Sequence, residues 1–300
     1  TNILTAMAQA RSDSIPMLVI SGVNKLTNTR NQRGPLHSLP NQEKLVKKVA
    51  IATYTIKKIE ETQSIMSKAF AKMLLGKPGP VHVQIPIDVM TEKMPNIEGF
   101  HYKQKKPLAP KSSEVLTVSD AINKSKKPCI ILGGGARTAK GNIRKFVEAL
   151  QAPTISTVNA RDLLGQHYLH IPASPSLESV RSLLKKADLV IALGTEMGQT
   201  DYDMYEDGSF PNLKNLVRVD IDKDQLKQSP AKTKKVRSDV SEFCNQILKH
   251  IKPRQNNVSK SIVKICKNSA KLEIPKHYEA CNILISTIVK IAHYSILEHV

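Results

Sequence analysis

Short apolar runs alternate with helix-spaced apolar positions along the first ninety residues of the chain. Residues 3–11 read as a helix, and Pro16 leads into MLVISG, an apolar run of strand length closed by Gly22. From Val23 to Pro40 the chain is polar, with Asn, Thr, Arg, Gly and Pro, and reads as a long loop of the kind that carries function in a compact domain. A helix is predicted over 41–51. A longer one is predicted over 60–75, where Ile65, Ala69, Phe70, Met73 and Leu74 share a face and Gly76 follows as a stop. The strand VHVQIP comes next, inside GKPGPVHVQIPIDV at 76–89. Proline lacks a backbone donor and is confined to strand starts, edges and ends, so the prolines around this run mark the closing strand of a domain.

Residues 91–113 lose apolar periodicity, gain Lys and Pro, and read as an extended linker. Alternation then resumes. A helix over 114–124 precedes the strand and glycine turn of KKPCIILGGGART, and Ile143, Phe146, Val147 and Leu150 mark a helix over 139–150. PTISTV, ADLVIALGTEMG and NLVRVDIDKDQL supply further strands. Strand, glycine turn and helix in repetition predict an α/β protein of two doubly wound, parallel-sheet domains, with a ligand crevice beyond the carboxyl ends of the strands. The expected divisions are a first domain over 1–90, a linker over 91–113, a second domain over 114–252, and a further linker followed by an Ile- and Lys-rich helical region over 253–300.

The 300 residues are enough for two domains that each bury a core, and a 40% hydrophobic content is ordinary for such a protein. No run of about 18 apolar residues occurs, so no membrane partner is expected. The chain opens TNILTAMAQA, inside an apparent helix and without a leader, which leads to the expectation of a fragment. Cys129, Cys244, Cys266 and Cys281 are widely spaced, with no C-x-x-C pair, and fit a reduced, cytoplasmic protein. The net charge of +19 raises a polyanion-binding reading. The cations are mostly lysine scattered along helices and aromatic residues are 4% of the chain, so nucleic acid is not expected as a partner.

Four places carry candidate chemistry. Gly133, Gly134 and Gly135 sit where a strand turns into a helix, either cradling a phosphate or packing helix on strand, and they lack full G-x-G-x-x-G spacing. In VDID, Asp220 reads as a partner for a ribose hydroxyl and Asp222 as a cap for the helix beginning DKDQL. Glu196, Asp201, Asp203, Glu206 and Asp207 crowd one loop, without the spacing of a calcium loop, and read as a polar cover or as partners for a basic group. His37 lies between Pro35 and Pro40 in RGPLHSLPNQ, where a stiffened backbone presents its ring to a ligand, whereas His82 alternates with apolar positions and reads as a packed strand residue.

TNILTAMAQARSDSIPMLVISG, GKPGPVHVQIPIDV, KPCIILGGGART, ADLVIALGTEMG and LVRVDID, in that order, resemble the thiamine-diphosphate-dependent enzymes of the acetolactate synthase, benzoylformate decarboxylase and pyruvate decarboxylase group. Within it, RGPLHSLPNQ and GTEMGQTDYDMYEDGSFPNLKNLVRVDID are most similar to the 5-guanidino-2-oxopentanoate decarboxylase branch. The resemblance implies part of a pyrimidine-binding domain, a complete Rossmann-like central domain and the approach to a diphosphate-binding domain. It implies thiamine diphosphate and Mg²⁺ as cofactors, a small-molecule 2-oxo acid as substrate, and a homo-oligomer, a dimer or tetramer. Asn2 falls on the family's Asn beside the aminopyrimidine. His37 falls where acetolactate synthases carry a substrate-proximal Gln. GTEMGQTDYD replaces the Arg-containing segment that supports FAD in acetolactate synthases, so FAD is not expected and the glycine turn becomes vestigial or structural. The family's activating Glu and its Gly-Asp-Gly and Asn segment have no counterpart here, so no catalytic residue or metal ligand is assigned and the chain alone is expected to be inert. The alternatives are an acetolactate synthase catalytic subunit, an oxalyl-CoA decarboxylase, or a non-catalytic nucleotide-binding protein on the same fold.

Overall fold

Successive side chains of a strand point to opposite faces of its sheet, and the chain builds two parallel sheets that both use this rule. A computed structural model describes residues 2–26, 39, 41–93, 99, 102, 106–202, 212–230, 232–255, 258–273, 283–284 and 286–288. The chain divides into two compact units, Thr1–Leu108 with Ile221–Asp224, and Ala109–Asp220 with Gln225–Val300.

The first unit contains α1 (Ile3–Ser12), β1 (Met17–Val23), α2 (Gln42–Val46), β2 (Ala52–Thr55), α3 (Thr62–Leu74), β3 (Pro80–Pro86) and α4 (Ile87–Met90). The sheet order is β1-β3-β2 and all pairs are parallel. Val81 and Val83 of β3 pack with Ile65, Ala69 and Met73 of α3, with Phe70 partly buried against them, whereas Leu74, expected on the same face, is exposed. Val19 of β1 packs on the opposite side with Met7, Val46 and Ala50. Pro80 and Pro86 stand at the two ends of the central strand, so their missing donors fall outside the ladder's interior.

The helix expected over 41–51 stops at Val46, and the β-branched stretch after it forms β2 against β3. Asn41 caps this short helix by accepting the Lys44 amide at 3.0 Å.

The second unit contains α5 (Ser112–Lys124), β4 (Pro128–Leu132), α6 (Lys140–Leu150), β5 (Thr154–Ser156), β6 (His170–Ile171), α7 (Glu178–Lys186), β7 (Leu189–Leu193), α8 (Gln199–Tyr202), β8 (Leu216–Asp220), α9 (Lys223–Lys227), β9 (Lys234–Arg237), α10 (Val240–Ile247) and α11 (Val258–Glu273). Its sheet runs β6-β5-β4-β7-β8-β9, all parallel. Alternation divides the strands cleanly. Ile130, Leu132, Ile191, Leu193, Val217 and Val219 join the core of α5, α6 and α10, while Cys129, Ile131, Val190 and Ala192 join that of α7 and α11. Each such Ile, Leu or Val contributes about 1.5–3 kcal/mol of burial.

Residues 253–273 differ from the expected linker and third-domain onset. Ser259, Val263, Cys266 and Ala270 recur at helical spacing and are buried, and the last three complete the second unit's core. Asp188 fastens the α5–β4 turn by accepting from Ser125 Oγ and from the amides of Lys126 at 2.6 Å and Lys127 at 3.0 Å. Burial pushes its pKa up, but these bonds and the charge of Arg254 outweigh burial and hold the carboxyl below its usual range. No described helix is long and apolar enough to cross a membrane.

Candidate functional site

In an open parallel sheet, ligands bind beyond the carboxyl ends of the strands. At that end of the first unit, Ser21 of β1, Gln84 of β3 and Thr55 of β2 lie opposite one another in register. A continuous hydrogen-bond chain runs through them. Gln42, the first residue of α2, donates Nε2–H bonds to Ser21 Oγ at 3.1 Å and to Gln84 Oε1 at 3.4 Å. Gln84 Nε2 donates to Thr55 Oγ1 at 2.9 Å, and the Thr55 hydroxyl donates to Glu43 Oε2 at 3.1 Å.

Beneath this row, His82 places Nε2 2.8 Å from Ser21 Oγ. Its side chain is packed in the strand, as the alternation predicts, with the residue 2% exposed. Burial lowers its pKa, opposed by the charge of Glu43, so the ring is held neutral. Its Nδ1 has no hydrogen-bond partner.

Asn2 immediately precedes α1, is exposed, and makes no side-chain cap bond. His37 lies outside the described residues. Both Asp88 carboxylate oxygens accept the Leu26 amide, at 3.1 and 3.3 Å.

At the carboxyl ends of β4 and β7 two turns pack backbone against backbone. The Gly133 amide donates to Leu193 O and the Gly135 amide to Gly194 O, each at 2.9 Å. A Cβ on Gly133 would stand 2.3 Å from Gly194 O, and one on Gly194, whose φ is +59°, would stand 2.7 Å from the Gly135 carbonyl carbon. The glycines thus allow two backbones to touch, and two of the turn's three amides are already engaged.

Asp220 ends β8 and is buried, with its carbonyl oxygen accepting the Ser238 amide at 3.1 Å. Asp222 acts as a cap, its Oδ1 accepting the Asp224 amide at 2.9 Å. Of the acidic loop, Asp203, Glu206 and Asp207 lie outside the described residues. Asp201 meets Thr195 Oγ1 at 3.4 Å, and its pKa is pushed up by burial and by the nearby Glu196. Among the described residues, no three His, Cys, Asp or Glu side chains converge as a metal site.

Sequence reasoning missed two groups here. The first is the Ser21–Gln84–Thr55 row, whose only signal was polar residues near the ends of apolar strands. The second is Arg218, 2% exposed in β8, which donates to Glu196 O at 2.8 Å, Thr195 O at 3.2 Å and Gln225 O at 3.0 Å. Arg218 fixes the loop after β7 from below, and a lone Arg in an apolar strand gave no hint of that.

Residues 115–247 match the family model described as thiamine pyrophosphate enzyme, central domain. The chain is 30% identical to the probable 2-ketoarginine decarboxylase AruI of Pseudomonas aeruginosa, over 74% of this chain and 40% of that protein. It is also 30% identical to the acetolactate synthase isozyme 1 large subunit of Escherichia coli, over 100% of this chain and 51% of that one. The chain therefore spans about half the length, or less, of these curated relatives. Benzoylformate decarboxylase from Polynucleobacter necessarius shares the fold with a TM-score of 0.74 at 20% identity, over 86% of this chain and 49% of that one. With the doubly wound sheet and the match inside it agreeing, residues 115–247 form a domain of the thiamine pyrophosphate enzyme central-domain type.

Proposed function

We propose that the whole protein is a thiamine-diphosphate-dependent decarboxylase of a 2-oxo acid, 5-guanidino-2-oxopentanoate, working as a cytoplasmic homo-oligomer. The observation that carries this reading is the 30% identity to a probable 2-ketoarginine decarboxylase over 74% of the chain. Thiamine diphosphate, when bound, supplies the carbanion that adds to the keto group and the electron sink for loss of CO₂. Asn2 fits the aminopyrimidine side of that cofactor, because its exposed side-chain amide is not spent on capping α1. The chain supplies the pyrimidine side and the central domain of that enzyme, and by itself turns nothing over. His37 is the residue proposed to stand near the substrate.

With Mg²⁺ and thiamine diphosphate, the whole protein releases CO₂ faster from 5-guanidino-2-oxopentanoate than from pyruvate; faster turnover of pyruvate refutes the substrate. The second reading, an acetolactate synthase, is favoured by the match to the Escherichia coli subunit over the full chain. Formation of acetolactate from pyruvate decides for it.

A further inference from the structure

Helix α11 carries two apolar faces, and the fold covers one of them. Ser259, Val263, Cys266 and Ala270 are buried, and the last three join the core that α7 also builds. Val258, Ile265 and Leu272 are left outside, at 64%, 65% and 88% exposure. They stand seven residues apart, close to two helical turns, so they form one line about 21 Å long on the helix surface. Single exposed apolar residues are ordinary, but three in register along one helix, ending on a leucine open to solvent, call for a partner. The described residues after the helix keep this character, with Ile283, Leu284 and Ile288 each more than half exposed.

Charge on the helix is one-sided. Lys260, Lys264, Lys267 and Lys271 recur at helical intervals and share a second face. Lys260 reaches past the helix to Tyr168, with Nζ 4.9 Å from the ring centroid. The one acid of α11, Glu273, turns the other way, and its Oε1 accepts the Ser179 amide in the first turn of α7 at 2.8 Å. At about 100° per residue, Glu273 falls between the buried residues and the apolar line, so α7 borders that line on one side. The lysines border it on the other, across Ser261 and Asn268. Helix α7 itself ends in exposed Lys185 and Lys186, and its Glu178 lies 3.9 Å from Lys185. The two glutamates at this border are thus already engaged, and the apolar line is rimmed by cations.

We propose that this outer face of α11 is a docking surface for an anionic lipid bilayer. An apolar line with cations beside it lets a helix lie in a membrane interface without crossing it. Anionic headgroups present a continuous sheet of negative charge, and each lysine near it adds to the attraction. Side chains standing this far out of the surface enter a soft interface, whereas a partner helix would need a trough to lie in. A second copy of the chain would bring the same lysines to face these. Three side chains also cover far less than the roughly 800 Å² per partner of a stable protein interface. The expectation of no membrane partner rests on the lack of a spanning run, and adsorption of one helix face needs none. Docking of this kind is independent of any decarboxylase activity.

The test is sedimentation of the 300-residue chain with large vesicles at about 0.1 M salt, made of phosphatidylcholine alone or with roughly one part in four phosphatidylglycerol. Saturable binding is expected with the anionic vesicles, at least about tenfold tighter than with phosphatidylcholine. Ile265→Ser with Leu272→Ser, both at exposed positions and checked for fold by thermal melting, is expected to weaken it roughly tenfold. Lys264→Gln and Lys271→Gln are each expected to weaken it about fivefold. No binding to anionic vesicles overturns the proposal. So does binding that persists unchanged without the two apolar side chains, which is adsorption through the diffuse charge of +19. A dimer seen by light scattering that the same two substitutions dissolve gives the face to a second copy. Binding by the 300-residue chain that the whole protein lacks gives it to an internal interface, and either result removes the lipid.

Discussion

The two sheets follow one strand–turn–helix grammar and finish differently at their carboxyl edges. In the second unit β4, β7 and β8 are buried along their whole length, and the edge is closed by Gly133 and Gly135 against Gly194, with Arg218 holding the loop below. In the first unit β2 is half-buried throughout, Ile20 in the middle of β1 is 57% exposed, and the edge ends in amide, hydroxyl and carboxylate oxygens. The second unit's edge uses glycine to bring two backbones into contact. The first unit's edge uses polar side chains that hydrogen-bond to one another across three strands.

Substitutions can break this comparison, and the largest effect should come from the closed edge. Gly194→Ala places a Cβ against the Gly135 backbone at a left-handed φ, and is expected to destabilise the second unit by about 3 kcal/mol in denaturant unfolding. A loss under about 0.5 kcal/mol would mean that the two turns are not in contact. Next come two isoleucines in mid-strand. Ile191→Thr, at a fully buried position, should cost about 2–3 kcal/mol, whereas Ile20→Thr should stay within about 0.5 kcal/mol. Equal costs would erase the distinction between a covered and an uncovered strand.

A smaller effect depends on pH. The folded-state pKa of Asp188 lies below the ordinary value of 3.8, so the stability it contributes is present above that value and is lost as pH falls through the folded pKa. Wild-type protein should therefore exceed Asp188→Asn in melting temperature at neutral pH, and the gap should close below pH 3.8. A gap independent of pH would show that the Asp188 clamp does not depend on its charge. The smallest change concerns the thiols. Burial first, with the nearby Cys266, pushes the Cys129 thiol up to about 12, so native protein should leave Cys129 unalkylated at pH 8 while unfolded protein does not.

Long, strongly periodic elements were legible in the sequence, because α3, α6, β4 and β7 repeat their apolar positions often enough for the period to show. β2, β6 and β9 were not, since two to four residues hold too little alternation to register. The lysine-rich stretch after Val46 carries no stop signal, which is why the helix there was expected to run on. Glycines at 133–135 announced a tight turn, but what fills it depends on Gly194, far along the chain. The polar row was illegible for the same reason. Ser21, Thr55 and Gln84 become neighbours only through strand register, and no spacing within the sequence encodes that.

Pro80 and Pro86 have one more consequence. They stand at opposite ends of the central strand, with His82 and Gln84 facing one side of the sheet between them and Val81 and Val83 the other. Sliding this strand by a single residue would exchange imidazole and amide for valine on that face, while forcing a proline into the paired interior. The two rings thus behave as end stops on a ruler, and a graft of this edge onto another sheet must carry the whole measure from Pro80 to Pro86.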